Sequence, residues 1–265
     1  MKGAAVPVLM YHHISPDREV TPEQFEGQLR LLRDKGYYTP DLAGARALLS
    51  GEAGARGKPV LLTFDDGYAD NWICAWPLLK KYGFRAVIFV TTSRLTEGPA
   101  RPTLADGAVP PGTLKDERGP AGFLTWSELK AMTSSGVFEA GSHTHTHRDF
   151  VKRSAYKDLD AELGTSASLI ERHTGARPVS IGWPWGHHEK SWEGAVRRAG
   201  YTMAFTTVTG VNRPGCDLLY LKRIKVSRGG LSWFRSRLLL HGLPLVSDLY
   251  GKLYGLDRKL KRRRA

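Results

Sequence analysis

Two cysteines in 265 residues, Cys74 and Cys216, exclude a disulfide framework and a multi-cysteine zinc module. So low a count fits a reducing compartment. No apolar run approaches the roughly 18 residues of a transmembrane helix. The stretch Met1–Tyr11 before the first motif is too short for a secretory leader. With Met1 as the true start, the expectation is a cytoplasmic chain, peripheral at the inner membrane face if its basic end binds there. A leader already removed would make it periplasmic or secreted. Acidic residues are also scarce, 26 against 39 Lys and Arg, which leaves a formal net charge of +13. That balance favours anionic partners: phosphates, acidic glycolipids, a membrane surface or nucleic acid. Part of the excess is local, since seven of the fourteen residues from Lys252 to Ala265 are Lys or Arg. A solvated, frayed tail accounts for that run as well.

What is present reads as an ordinary globular chain. At 41% hydrophobic and 25% charged it is neither disordered nor collagen-like, and its length suits one large domain. Short apolar runs alternate with helical patterns, the signature of an α/β fold. The expected strands are Val6–Tyr11, Val60–Phe64, Ala86–Val90, Val137–Ala140, Val179–Gly182, Met203–Thr206 and Leu221–Val226. Thr21 with Gln24, and Thr125 with Glu128, have capping-box spacing, and Pro22 suits a first helical position. Further helices are expected over Lys157–His173 and Glu189–Ala199, each closed by glycine. Arg94–Gly122 holds five Pro and five Gly without periodicity, which predicts a long surface loop placed to act as a lid. Residues 1–230 are expected to form the catalytic domain and 231–265 a C-terminal helix and basic tail.

Chemically capable residues repeatedly follow the apolar runs. They are Tyr11-His12-His13, Asp65-Asp66, Thr91-Thr92, Ser142-His143 and Trp183-Pro184-Trp185. Parallel α/β folds place their sites at the carboxyl ends of strands, so these clusters are expected on one face. Asp65-Asp66 after a buried strand is costly unless something positive meets it. Adjacent side chains on an extended segment diverge, so one Asp can hold a metal while the other faces a substrate water. An Asp-Gly turn with a helix cap explains the pair equally well in isolation. Three histidines, His143, His145 and His147, stand at alternate positions. Imidazoles suit zinc and related ions, but the spacing does not choose which two converge, and a solvated His/Thr loop is the plain alternative. Asp66 with two of these histidines would leave an open coordination position for water, with Asp65 free to take a proton. Trp183-Pro184-Trp185-Gly186 offers aromatic walls and a turn N–H for an oxyanion, or else a packed turn of core tryptophans. His187 and His188 read as rim residues.

Together these residues resemble the polysaccharide deacetylase superfamily of NodB-homology, carbohydrate esterase type. Thr63-Phe64-Asp65-Asp66-Gly67 is similar to its first motif, and Gly141–His147 to its His-Thr-x-x-His motif. Trp183–Gly186 is similar to the Pro-aromatic-Gly core of its third. The layout is closest to the poly-N-acetylglucosamine deacetylase branch, with Tyr11-His12 at the start and Arg223-Ile224-Lys225-Val226 at the end. The resemblance implies a distorted (β/α) barrel of about seven parallel strands and metal-dependent hydrolysis of a linear amide C–N bond. The substrate would be an N-acetylhexosamine unit of poly-N-acetylglucosamine or of a lipid-linked, lipopolysaccharide-type glycan. It implies a divalent ion, zinc first and iron, nickel or cobalt as alternatives, held by Asp66, His143 and His147. Asp65 would be the base. Tyr11, Tyr68, Trp183, Pro184 and Trp185 would bind substrate, Trp185 also through its N–H. In one departure, Gly182 stands where the third motif often opens with an Arg that orients the base, and Arg223 is the expected substitute. In another, the family's late Leu-x-His acid matches only Leu239-Leu240-His241, on an expected helix, so His12 is the expected acid.

Trp233, Phe234 and Leu238–Leu240 among Arg235 and Arg237 would suit an anionic membrane surface or glycolipid, or a helix packed on the barrel. A metal-binding glycan-recognition protein of the same fold without turnover is the alternative function, opened by Gly182. Nucleic acid is not an expected partner, because no recognition motif accompanies the charge.

Overall fold

The computed structural model describes residues 5–107, 122–151, 158–227 and 230–242. The strands in chain order are β1 (Val8–Tyr11), β2 (Tyr37–Tyr38), β3 (Lys58–Pro59), β4 (Leu61–Phe64) and β5 (Ala86–Val90). They continue as β6 (Phe138–Ser142), β7 (Ser180–Gly182), β8 (Met203–Phe205) and β9 (Ile224–Lys225). The helices are α1 (Pro22–Asp34), α2 (Leu42–Ser50), α3 (Trp76–Tyr82), α4 (Trp126–Ser134), α5 (Leu159–Thr174), α6 (Glu193–Arg198) and α7 (Leu231–Gly242). Every residue of β1, β4 and β5 is buried, as expected of apolar runs covered on both faces.

Seven strands form one sheet in the order β8-β7-β6-β5-β4-β1-β9, all neighbours parallel. β2 and β3 form a separate parallel pair. The segment entering β9 bridges the two edges of the large sheet. Leu221 pairs with Phe205 at the end of β8, Arg223 N–H donates to Val208 O, and Ile224 then pairs with Leu9 of β1. This closes the sheet into the expected distorted barrel.

Alternation along each strand sorts its side chains between the barrel interior and the surrounding helices. Leu61, Val87 and Phe89 meet Met203, Phe205 and Leu221 in an inner cluster, joined by Leu42, Ala45, Leu48 and Leu49 of α2. Leu62, Phe64, Ile88 and Val90 face outward onto α1, α3 and α4. Both capping boxes form with reciprocal hydrogen bonds, at Thr21/Gln24 and at Thr125/Glu128. α1 buries Phe25, Leu29 and Leu32, spaced three and four apart, as one stripe.

One expectation is corrected. Residues 94–107, the described half of the expected lid, are pinned. Arg101 pairs with buried Glu128 at 2.7 Å, and its carbonyl accepts from Trp72 Nε1 at 2.7 Å. Residues 108–121 lie outside the described residues. Part of the apolar side of α7 is spent on the protein itself, because Phe234 and Leu238 are buried in the outer cluster against α1. Leu231 and Leu239 stay exposed, at 45% and 72%, so the apolar side of α7 is divided between the core and its surroundings. The basic run from Lys252 lies outside the described residues, as does the side chain of His241. Among the described residues no helix is long and apolar enough to cross a membrane.

Candidate metal-dependent active site

The strand ends place the site. Directly after β4 the chain turns through two left-handed residues, Asp66 (φ 74°) and Gly67 (φ 80°). Asp tolerates this region better than most side chains. The turn sends the two carboxylates apart. Asp65 faces Arg223, and Asp66 faces the histidine loop.

That loop follows β6 and is held from below. Ser142 Oγ accepts from Thr144 N at 3.0 Å, and Thr144 Oγ1 accepts from His147 N at 3.1 Å. Glu162, in the first turn of α5, accepts from the backbone N–H groups of His145 and Thr146 and from the Thr146 hydroxyl, at 2.6–3.0 Å. Thr144 and His147 are left-handed, with φ 63° and 59°. Trp185, φ 61°, completes the set, so the four non-glycine left-handed residues described are Asp66, Thr144, His147 and Trp185, all at this face. Strain concentrated this way marks a site held in place by its surroundings.

The structure brings Asp66, His143 and His147 together, with one ligand atom from each inside a 4.8 Å group. His145 turns away, its Nδ1 at 2.9 Å from Thr92 Oγ1. A divalent cation fits these three residues. His143 Nδ1 lies 2.6 Å from Gly182 O and must donate to it, because a carbonyl can only accept. Nε2 of the neutral ring therefore carries its lone pair 3.5 Å from Asp66 Oδ1, a buried oxygen without a hydrogen-bond donor that also lies 2.9 Å from His147 Nε2. A lone pair facing an anionic oxygen is repulsive until a cation lies between them. Burial pushes the His143 imidazole down to about 4, so it is a neutral donor at physiological pH. Burial also raises the Asp66 carboxyl, but the two imidazoles and His12 outweigh it and hold the group well below the usual range.

Asp65 and Arg223 form a buried, bidentate pair at 2.6 and 2.9 Å. Arg223 Nε also donates to Thr206 O at 2.7 Å. Burial would raise the Asp65 carboxyl, but Arg223, His143 and His12 overcome it and keep it ionised below its ordinary value. Arg223 thus reaches, from the opposite end of the sequence, the carboxylate that Gly182 cannot. Gly182 itself has no room for a side chain, since a Cβ there would lie 2.8 Å from the Phe89 ring and 3.3 Å from His143 Nδ1. We expect Gly182→Ala to lose about 1–3 kcal/mol by overpacking. Denaturant titration reads this, and an unchanged midpoint would mean that the strands move apart to admit the methyl group.

A cleft of about 500 Å³ opens over these groups. His12, Asp65, Asp66, Tyr68, His143, His147, Trp183 and Trp185 line it, as the strand-end clusters predict. Trp183 is almost wholly buried and shapes the floor, while Trp185, 57% exposed, stands at the mouth. Pro184 is buried in the turn between them. Tyr11 is a correction. Its ring stacks on Phe64 at 5.2 Å and its hydroxyl donates to Gln28 at 2.8 Å in the core. Consecutive residues of an extended chain point to opposite sides, so His12 in the cleft requires Tyr11 out of it. His187 pairs with Asp149 at 2.8 Å. Sequence reasoning missed Met10, Arg94, Thr207, Thr209 and Lys225 in the lining, and Glu162 behind the loop. Only Lys225 carried a signal, as the variable position of Arg223-Ile224-Lys225-Val226.

The family model for polysaccharide deacetylase matches residues 52–204. The Bacillus subtilis (strain 168) protein YxkH, named for polysaccharide deacetylation, is 30% identical over 230 residues, 86% of this chain and 74% of YxkH. The poly-beta-1,6-N-acetyl-D-glucosamine N-deacetylase of Escherichia coli (strain K12) is 26% identical over 211 residues, 69% of this chain and 30% of that protein. Among solved structures, the Streptococcus pyogenes deacetylase PplD in complex with acetate superposes with a TM-score of 0.72 at 28% identity. That match covers 91% of this chain and 100% of PplD. IcaB from Ammonifex degensii shares the fold, with a TM-score of 0.70 at 24% identity over 89% of this chain and 97% of that one.

Proposed function

The chain belongs to the polysaccharide deacetylase family, and from that premise we propose that it removes the acetyl group from an N-acetylhexosamine unit of a glycan, releasing acetate. The observation that carries this reading is the pairing of an ion-ready Asp66-His143-His147 group with a separately neutralised carboxylate, Asp65, over one cleft. Asp66, His143 and His147 would hold a divalent cation, which would supply Lewis-acid polarisation of the acetamide carbonyl and a more acidic water. Asp65 takes the proton of the water that attacks the carbonyl carbon, and Arg223 fixes the carboxylate and keeps it ionised. The Trp185 backbone N–H donates to the oxygen on which negative charge develops. His12, on the same cleft and close enough to influence both carboxylates, protonates the departing amine as the C–N bond breaks. Tyr68, Trp183 and Trp185 wall the sugar.

Glycan recognition without turnover rested on the missing Arg of the third motif. Arg223 occupies that role's position beside Asp65, which favours the enzyme. The experiment is acetate release from N-acetylglucosamine oligomers by the metal-reconstituted protein, with the free amine counted independently. Equimolar acetate and amine are expected. Saccharide binding with neither product would favour the recognition protein.

A further inference from the structure

The cleft holds charge that deacetylation does not use. Asp65 is already neutralised by Arg223, and Asp66 faces its two imidazoles. Arg94 and Lys225 also line the cleft. The Arg94 guanidinium lies 5.0 Å over the Phe123 ring, and no carboxylate among the described residues pairs with either cation. Among the described residues the negative charge of the cleft is therefore committed inside the protein, and these two positive charges are not. A divalent ion on Asp66 would raise the positive potential further.

Their placement follows from the sheet. Arg94 comes just after β5, and Lys225 lies in β9. In the order β5-β4-β1-β9, the Asp65-Asp66 turn after β4 stands between them. The two cations therefore belong to chain segments on either side of the one that carries the reacting carboxylates. A neutral polymer would leave both charges unmet in a partly enclosed cleft. A carboxylate or phosphate on a neighbouring unit would meet them, bidentately at Arg94 and as a point contact at Lys225.

We propose that the acetamido sugar is presented within an anionic glycan, whose oxyanion groups on flanking units are received by Arg94 on one side of the centre and Lys225 on the other. This rests on the deacetylase reading and narrows its substrate.

The test compares three substrates on the metal-reconstituted chain: a neutral N-acetylglucosamine oligomer, one of equal length alternating N-acetylglucosamine with a uronic acid, and a phosphate-substituted N-acetylhexosamine. We expect kcat/KM for at least one anionic substrate to exceed that for the neutral one by about tenfold or more, as one charge-assisted hydrogen bond supplies. Which of the two wins identifies the oxyanion. The advantage should shrink as salt is raised. In the Arg94→Gln/Lys225→Gln double variant the anionic-to-neutral ratio should fall to near one. A neutral oligomer preferred by the unaltered chain, or a ratio unchanged in the double variant, overturns the proposal. If no substrate releases acetate, the deacetylase reading fails by itself. Calorimetric titration of the same saccharides then decides the charge preference, with equal or weaker binding of both anionic ones counting against it.

Discussion

Replacing Asp65 with asparagine is expected to lower kcat roughly a thousandfold, within the range for loss of a positioned general base, while bound metal stays stoichiometric. The two halves of that result have separate causes. The amide would keep the volume of the carboxylate but could not take a proton from water. The ligand group Asp66, His143 and His147 would be untouched, because the turn at Asp66 and Gly67 directs the two acidic side chains apart. A complication follows from Arg223, which is fully buried and bidentate on Asp65. Removing the anion leaves a buried cation facing a neutral amide, and breaking such a pair costs about 3–5 kcal/mol. The variant should therefore also melt earlier, and its turnover must be measured well below its own transition. Deacetylation at the normal rate by a folded, metal-loaded Asp65→Asn variant would show that another group is the base.

Asp66→Asn is expected to do the opposite. It should weaken divalent-ion affinity by more than about a hundredfold, because losing a ligand exceeds the 10–100-fold effect of outer partners. Turnover should fall with it. Asparagine is the apt replacement, since it also accepts the left-handed backbone that Asp66 adopts at φ 74°. Stability supplies the second readout. In the metal-free protein the Asp66 Oδ1 atom is buried without a donor and close to two imidazoles. The imidazoles beside it favour the ionised carboxylate, so the amide gives up that attraction and the metal-free variant should melt below the metal-free parent. Added metal should raise the melting temperature of the parent and leave the variant where it was. A variant that binds the ion as tightly as the parent would remove Asp66 from the ligand set.

The two variants divide the adjacent carboxylates into separate tasks, and that division is geometric. Local sequence cannot distinguish Asp65 from Asp66. The left-handed turn after β4 does, by giving one to the cation site and the other to Arg223. The same holds for the three alternating histidines. His145 is excluded because Thr92 takes its ring, and because Glu162 shapes the loop so that His147, two residues on, returns toward His143.

By itself the sequence determined the seven parallel strands, the capped helices α1 and α4, and the face on which the chemistry collects. These features are written in patterns shorter than about fifteen residues: apolar runs, helical spacing and caps, which act through neighbours along the chain. Only the tertiary structure decided which member of each cluster faces the cleft. Tyr11 went to the core and His12 to the site, since burial of one side of β1 forces the alternation. Arg223 came to Asp65 across 158 positions because β9 pairs with β1, which pairs with β4. The positions of Arg94 and Lys225 beside the cleft became visible the same way. Pairing between strands distant in the chain depends on how the whole sheet closes, and no local pattern carries that information.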